Sequence, residues 1–238
     1  PYTICGILES GGGGFATGIS NNFFFNSIFI GGNNVTGSSN TYAFRSLNSA
    51  ANRSYRNNIF FNARSNSSGT GKHYAVQLNG AGVNPAGLTC NNNIFYSFGT
   101  GGVLGLYGGI DRITLADWQA ALGQDANSFY TNPFFKMPAG SAASLDLHIN
   151  GSLAGAINDI GIALPGVTVD YDNQMRNATT PDIGADEFAG PTCNGSNGGT
   201  ASVAVDSFCG TDSTIITATG YTIGATTVYE WESSPDSF

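Results

Sequence analysis

The chain has 238 residues, 34 of them glycine, with only 10% charged and a formal net charge of −8. So much glycine and so few charged residues argue against long helices, while a hydrophobic fraction of 41% supports a packed core and excludes general disorder. The acidity is lopsided: residues 1–110 hold one acid, Glu9, against Arg45, Arg53, Arg56, Arg64 and Lys72, too few cations for the dense basic stripe that nucleic acid requires. No apolar run reaches the roughly 18 residues of a spanning helix.

In chain order, Tyr2–Leu8 predicts a strand and Gly11–Gly14 a turn. A six-residue word follows and recurs: Asn21–Asn26, Asn57–Asn62 and Asn92–Ser97 each place two Asn before three apolar residues and a small polar one. Asn22 and Asn58 are 36 residues apart, Asn58 and Asn93 are 35 apart. A near-constant period bearing one turn and one strand predicts a solenoid. Stacked in register, Asn22, Asn58 and Asn93 would form an amide ladder, and Phe24, Phe60 and Phe95 an aromatic column. A second strand follows each word, at Tyr42–Leu47, His73–Leu78 and Gly102–Tyr107, and its alternation predicts one buried face. Ser38–Asn40, Asn48–Arg53 and Asn66–Gly71 are expected as surface excursions. The fold class is all-β, a right-handed parallel β-helix with one short helix.

That helix is expected to start at Thr114, with Asp117 three residues on, to continue through Trp118 and Leu122, and to stop at Gly123. A turn at Asn132-Pro133 and a strand at Leu145–Ile149 follow. The closing segments are Asp170–Arg176 and Pro181–Phe188.

The three Asn-rich words, the stretch Asp117-Trp118-Gln119 to Asn132-Pro133-Phe134-Phe135, and the run Pro181–Phe188 together resemble secreted bacterial right-handed β-helix proteins. These are pectate-lyase-like in fold and frequent in Bacteroidota. The resemblance covers residues 1–188. Two departures are visible: Asn173 stands where the family's Asp-x-Asp-Gly turn has Gly, and Leu153 where its Gly-Ser-Pro has Pro. The resemblance implies secretion or cell-surface display, with the type nine export machinery as a partner. Residues 189–238 resemble the start of an appended Ig-like module, with Trp231 as its core Trp. The sequence reads as an internal piece of a longer protein.

Cys5, Cys90, Cys193 and Cys209 include no CxxC and no Cys/His cluster, which argues against a cysteine metal site. Cys193 and Cys209 suit a disulfide of a secreted protein, and Cys5 and Cys90 suit small buried residues. Arg45, Arg53, Arg56, Lys72 and His73 beside Tyr42, Tyr55 and Tyr74 form a candidate surface for sugars or uronates, by bidentate bonds and ring stacking. The alternative is ordinary loop chemistry, and His73 has no acid nearby in sequence to orient it. Asp170, Asp172, Asp182, Asp186 and Glu187 form the acidic cluster. Asp170 and Asp172 are candidate Ca²⁺ ligands, against the plainer reading of Asx turns with Arg176 paired to one of them.

Polysaccharide lyases and hydrolases need grouped carboxylates, and the repeat region offers Glu9 alone. The expectation is therefore a binding protein without chemistry of its own, an adhesin or glycan-binding stalk with no required cofactor. The alternatives are a polysaccharide lyase or hydrolase built from residues 111–188, and a structural spacer or filament component.

Overall fold

Three short strands and the turns between them make up each circuit of this chain. The computed structural model describes residues 3–10, 20–49, 52–141, 143–191, 199–203 and 215–221. Two compact units divide it, Pro1–Pro191 and Thr192–Phe238.

The first coil holds β1 (Ile4–Glu9), β2 (Ser20–Phe24) and β3 (Ser27–Ile30). The second holds β4 (Thr41–Ser46), β5 (Asn52–Arg56) and β6 (Ile59–Asn62), and the third β7 (His73–Leu78), β8 (Leu88–Asn91) and β9 (Ile94–Ser97). A last partial coil runs through β10 (Gly102–Tyr107), β11 (Ile110–Arg112), the helix α1 (Leu115–Leu122) and β12 (Phe129–Tyr130). Strands of successive coils pair in parallel, β1-β4-β7-β10, β2-β5-β8 and β3-β6-β9-β12, giving a β-solenoid of about three turns. The β2-β5-β8 sheet was not expected from the sequence. Its strand Asn52–Arg56 begins inside Asn48–Arg53, the stretch read as a surface excursion, yet Arg53 and Tyr55 point inward.

The ladder exists in a corrected register. Asn26, not Asn22, is the first rung. Its side-chain amide donates to Asn58 Oδ1 at 2.8 Å, and that of Asn58 donates to Asn93 Oδ1 at 3.1 Å, across steps of 32 and 35 residues. Each backbone N–H repeats the same step, Asn26 to Asn58 and Asn58 to Asn93, and the Asn93 N–H ends on Ser128 Oγ at 2.9 Å. The corner before each rung needs a left-handed backbone, with φ of 56° at Asn57 and 54° at Asn92. Phe25 takes that corner in the first coil with φ 55°, which leaves Phe23 and Phe24 to β2 and shifts the word by four positions. Asn22 therefore pairs with Ser54, and Asn21 reaches Glu9 instead.

The aromatic column shifts with the ladder. Phe60 stacks on Phe95 with centroids 6.0 Å apart, but Ile28 occupies the first-coil position expected for Phe24. Phe44 extends the column at 4.9 Å from Phe60, and Trp118 of α1 closes it at 5.8 Å from Phe95. Removing such a ring would cost about 3–5 kcal/mol through lost transfer energy and a cavity. Helix α1 follows its sequence signals: Thr114 Oγ1 accepts the Asp117 N–H at 3.1 Å, and Gly123 ends the helix at φ 69°. A Cβ at Gly105 would lie 2.6 Å from the Trp118 ring, so the capping helix closes down only over glycine.

The expected single buried face of the second strands is corrected. β4 and β7 are buried along their whole lengths except at Arg45 and Gln77. The β3-β6-β9 sheet is also covered on both faces, which suits the continuous run Ile59-Phe60-Phe61. Its outer side packs under β13 (Phe135–Met137), β14 (Asp146–Ile149), a 3-10 turn at Gly155–Ile157, and Ile183. This covering segment, not the coils, builds the site described below.

In the second unit the described residues form an antiparallel pair, β15 (Thr200–Val203) with β16 (Ile216–Thr219). The Gly11–Gly14 turn, the Cys193–Cys209 disulfide and Trp231 lie outside the described residues.

Candidate functional site

The Arg/Tyr surface read from the sequence is split between two sheets and turned mostly inward. On β4 and β7, the rings of Tyr42 and Tyr74 stack 5.2 Å apart at 8°, both buried. Arg45 lies 4.7 Å over Tyr42 and donates to Gln77 Oε1 at 2.7 Å. Lys72 is exposed but paired with Asp111, which also accepts the Tyr74 hydroxyl at 2.8 Å. His73 is fully buried between Thr41 Oγ1 at 2.9 Å and Asn66 Oδ1 at 3.0 Å, and burial lowers its pKa. On β5, Arg53 and Tyr55 are buried, and Arg56 lines a separate cleft with Gln124 and Asp125. These eight side chains thus do not converge on one open surface, because they are divided between two sheets and five of them are buried.

Glu9, the single acid of the repeat region, is likewise part of the frame. Burial pushes its carboxyl up, but bonds from Ser46, Tyr55, Asn48 and Asn21 outweigh that and hold it below the usual range. Cys90 is buried and Cys5 half-buried, both as free thiols.

The closing run works as a clasp. Asp170 Oδ1 accepts the N–H groups of Asp172 and Gln174, and Oδ2 accepts that of Glu187. Asn173 adopts the left-handed φ of 64° that its place in the turn requires. Arg176 does not pair with Asp170 or Asp172. It binds Glu187 Oε2 at 3.2 Å and the carbonyls of Gly184 and Ala185 at 3.0 and 3.1 Å, with its guanidinium 4.1 Å from the Phe25 ring. That contact covers the aromatic residue held at positive φ. Asp182 accepts the N–H groups of Asp159 and Phe188, and burial raises its carboxyl to about 7.

Of the two candidate Ca²⁺ ligands, Asp170 spends both oxygens on backbone N–H groups, whereas Asp172 turns to His148. Asp172 Oδ2 lies 2.6 Å from His148 Nε2, while Asp146 Oδ1 lies 2.5 Å from His148 Nδ1 and also accepts the His148 N–H. The bonds to Asp172 and Asp146 raise the His148 pKa, because the two carboxylates favour the charged ring. Asp186 completes the group, buried, with Oδ2 accepting the Ile149 N–H at 2.7 Å and its pKa raised by burial. Asp146, His148 and Asp186 line a cavity of about 310 Å³, walled also by Ser27, Leu145, Leu147, Tyr171 and Ala185. Tyr171 is 81% exposed at its rim.

Strand and loop geometry explain the convergence. Asp146 and His148 alternate on β14 and so share a face, and the Asx turn at Asp170 swings Asp172 over them. The sequence reading named Asp172 and Asp186 but passed over Asp146 and His148. The signal was present as an Asp-x-His alternation within a predicted strand. Compared with known proteins, the chain gives no significant match to a family model, a curated protein or a solved structure. The site's chemistry therefore stands on its geometry: an acceptor-rich pocket with apolar walls, one imidazole and an exposed aromatic ring.

Proposed function

We propose that this chain is a non-catalytic glycan-binding module, displayed outside the cell as an adhesin or stalk, that holds a neutral sugar in the pocket beside His148. The observation that carries this reading is the pocket itself. A cavity of about 310 Å³ with mainly apolar walls and a few convergent polar groups suits one small ligand unit. Its carboxylates accept hydrogen bonds and so match a ligand rich in hydroxyl donors, while Tyr171 offers a ring face for stacking. The same carboxylates repel uronates, which moves the expected ligand from anionic to neutral glycans. Right-handed winding of the coils is part of the proposal, the hand that the general rule for parallel crossovers favours.

A hydrolase is the second reading, because acids do gather in residues 146–186. Against it, the His148 ring fills the space between Asp146 and Asp172, where two catalytic acids would have to flank a glycosidic bond. Affinity electrophoresis on neutral and uronate polysaccharides tests the proposal, with chain-length analysis of the same polymers. Retardation on a neutral polymer, at least tenfold weaker in Tyr171→Ala, is expected with the polymers left intact. Shortened polymers would overturn the non-catalytic reading, and equal behaviour of Tyr171→Ala would overturn the pocket.

A further inference from the structure

The ladder and buried acid of the coils bond within the coils, Asn26 to Asn58, Asn58 to Asn93 and Ser46 to Glu9, whereas Asp186 turns one oxygen to the covering segment's pocket. Its carboxylate is buried, one oxygen takes the Ile149 N–H, and the other has no hydrogen bond within the described residues. That second oxygen faces the cavity and is free to accept a donor or bind a cation there. A ring nitrogen of His148, one oxygen of Asp172 and one of Asp186 lie within 4.8 Å of one another. Zinc bonds of roughly 2.0–2.2 Å in a tetrahedron place ligand atoms about 3.3 Å apart, a spacing this group reaches by small side-chain shifts.

The orientation of His148 is a second, independent observation. Asp146 holds Nδ1 at 2.5 Å and fixes the ring through a strand contact, which leaves Nε2 directed at Asp172. A carboxylate on the far nitrogen of a ligating histidine is the usual support of such a ligand, setting its tautomer and raising its basicity.

We propose that His148 Nε2, Asp172 and Asp186 form a binding site for a divalent transition cation of the zinc class, with Asp146 as the residue that positions His148. One imidazole nitrogen and two carboxylate oxygens select a borderline metal over Ca²⁺, which takes six to eight oxygens. The metal takes the place of the proton on Nε2, and the proton leaves to solvent. Three protein ligands leave a fourth position open toward the cavity, where water or a sugar hydroxyl can bind. The inference does not depend on the glycan reading, since it concerns the metal alone.

Titration calorimetry of the chelator-treated full chain with Zn²⁺ tests it, with Co²⁺ absorption as a second readout. One Zn²⁺ per chain is expected, together with the d–d bands of four-coordinate Co²⁺. Asp172→Asn and His148→Gln, both at half-exposed or exposed positions that leave the core intact, should abolish both signals. Asp146→Asn should weaken Zn²⁺ about 10–100-fold without removing a ligand. The buried His73 is the control, and His73→Gln should leave Zn²⁺ affinity unchanged in chain that retains its near-ultraviolet circular dichroism. Absence of saturable Zn²⁺ binding, binding that survives Asp172→Asn and His148→Gln, or a preference for Ca²⁺ over Zn²⁺ would each overturn the proposal.

Discussion

The two histidines of this chain sit in opposite surroundings. His73 lies inside the coils, fully buried between a hydroxyl and an amide, with its charged form disfavoured by burial. His148 lies in the covering segment between two carboxylates, with its charged form favoured. The coil polar groups described above close on one another: Asn on Asn, Glu9 on four donors, His73 on Thr41 and Asn66. The covering segment instead brings like charges together around a pocket and leaves oxygens over. On the proposed reading, ligand binding falls in the covering segment, where carboxylates gather around a pocket, and the repeats serve as the frame.

The pH dependence of stability should sharpen this contrast most. Asp182, in the cover, keeps its proton in the folded chain up to about 7, whereas an unfolded Asp ionises near 4. Stability therefore falls as pH rises between those values, by at most about 4 kcal/mol for this group. His148 adds to the fall at higher pH, because its raised pKa makes its tie complete below the unfolded value and lost above the folded one. His73 acts with the opposite sign: its lowered pKa removes stability as pH falls below the unfolded value. Urea unfolding of chelator-treated protein from pH 4 to 9 should show the fall, and His148→Gln should flatten only its upper end. A profile that rises over pH 4–7 would contradict the assignment to the cover.

Asn93→Ala is the next largest effect and tests the frame. It removes acceptors from the Asn58 N–H and side-chain amide and donors to Tyr55 and Asp125, all buried. A loss of about 3 kcal/mol or more is expected in chemical denaturation, since each orphaned buried group costs roughly 1–3 kcal/mol. Asn22→Ala, outside the ladder, should cost far less. Thr114→Ala is the smallest change, about 1 kcal/mol from one lost helix cap, read as a small shift in midpoint.

The solenoid was legible because its period is carried by residues with specific backbone needs. Asn57 and Asn92 take left-handed corners, Asn58 and Asn93 join as amides, and Phe60 stacks on Phe95. The helix followed from Thr114 and Gly123. The first repeat misled because Phe25, an aromatic residue, occupies the corner that Asn takes elsewhere, and only the distant Arg176 explains it. The Arg and Tyr residues suggested a surface because their types are common at surfaces, but which way they face depends on a third sheet whose strands are short and polar. His148 was missed for a related reason. Asp146 precedes it by two residues, but Asp172 and Asp186 come from later loops that only the fold brings near.

The Asn ladder has a consequence for how such a chain can lengthen over generations. Each rung presents a donor to one neighbour and an acceptor to the other, and the stack ends on Ser128 and Asp125 under the Trp118 cap. A tandem copy of the stretch from Asn58 to just before Asn93 would arrive with both halves of its own junction already in place. Neither the start of the stack nor its capped end would need to change, so a gene duplication of one coil could be accepted in a single event.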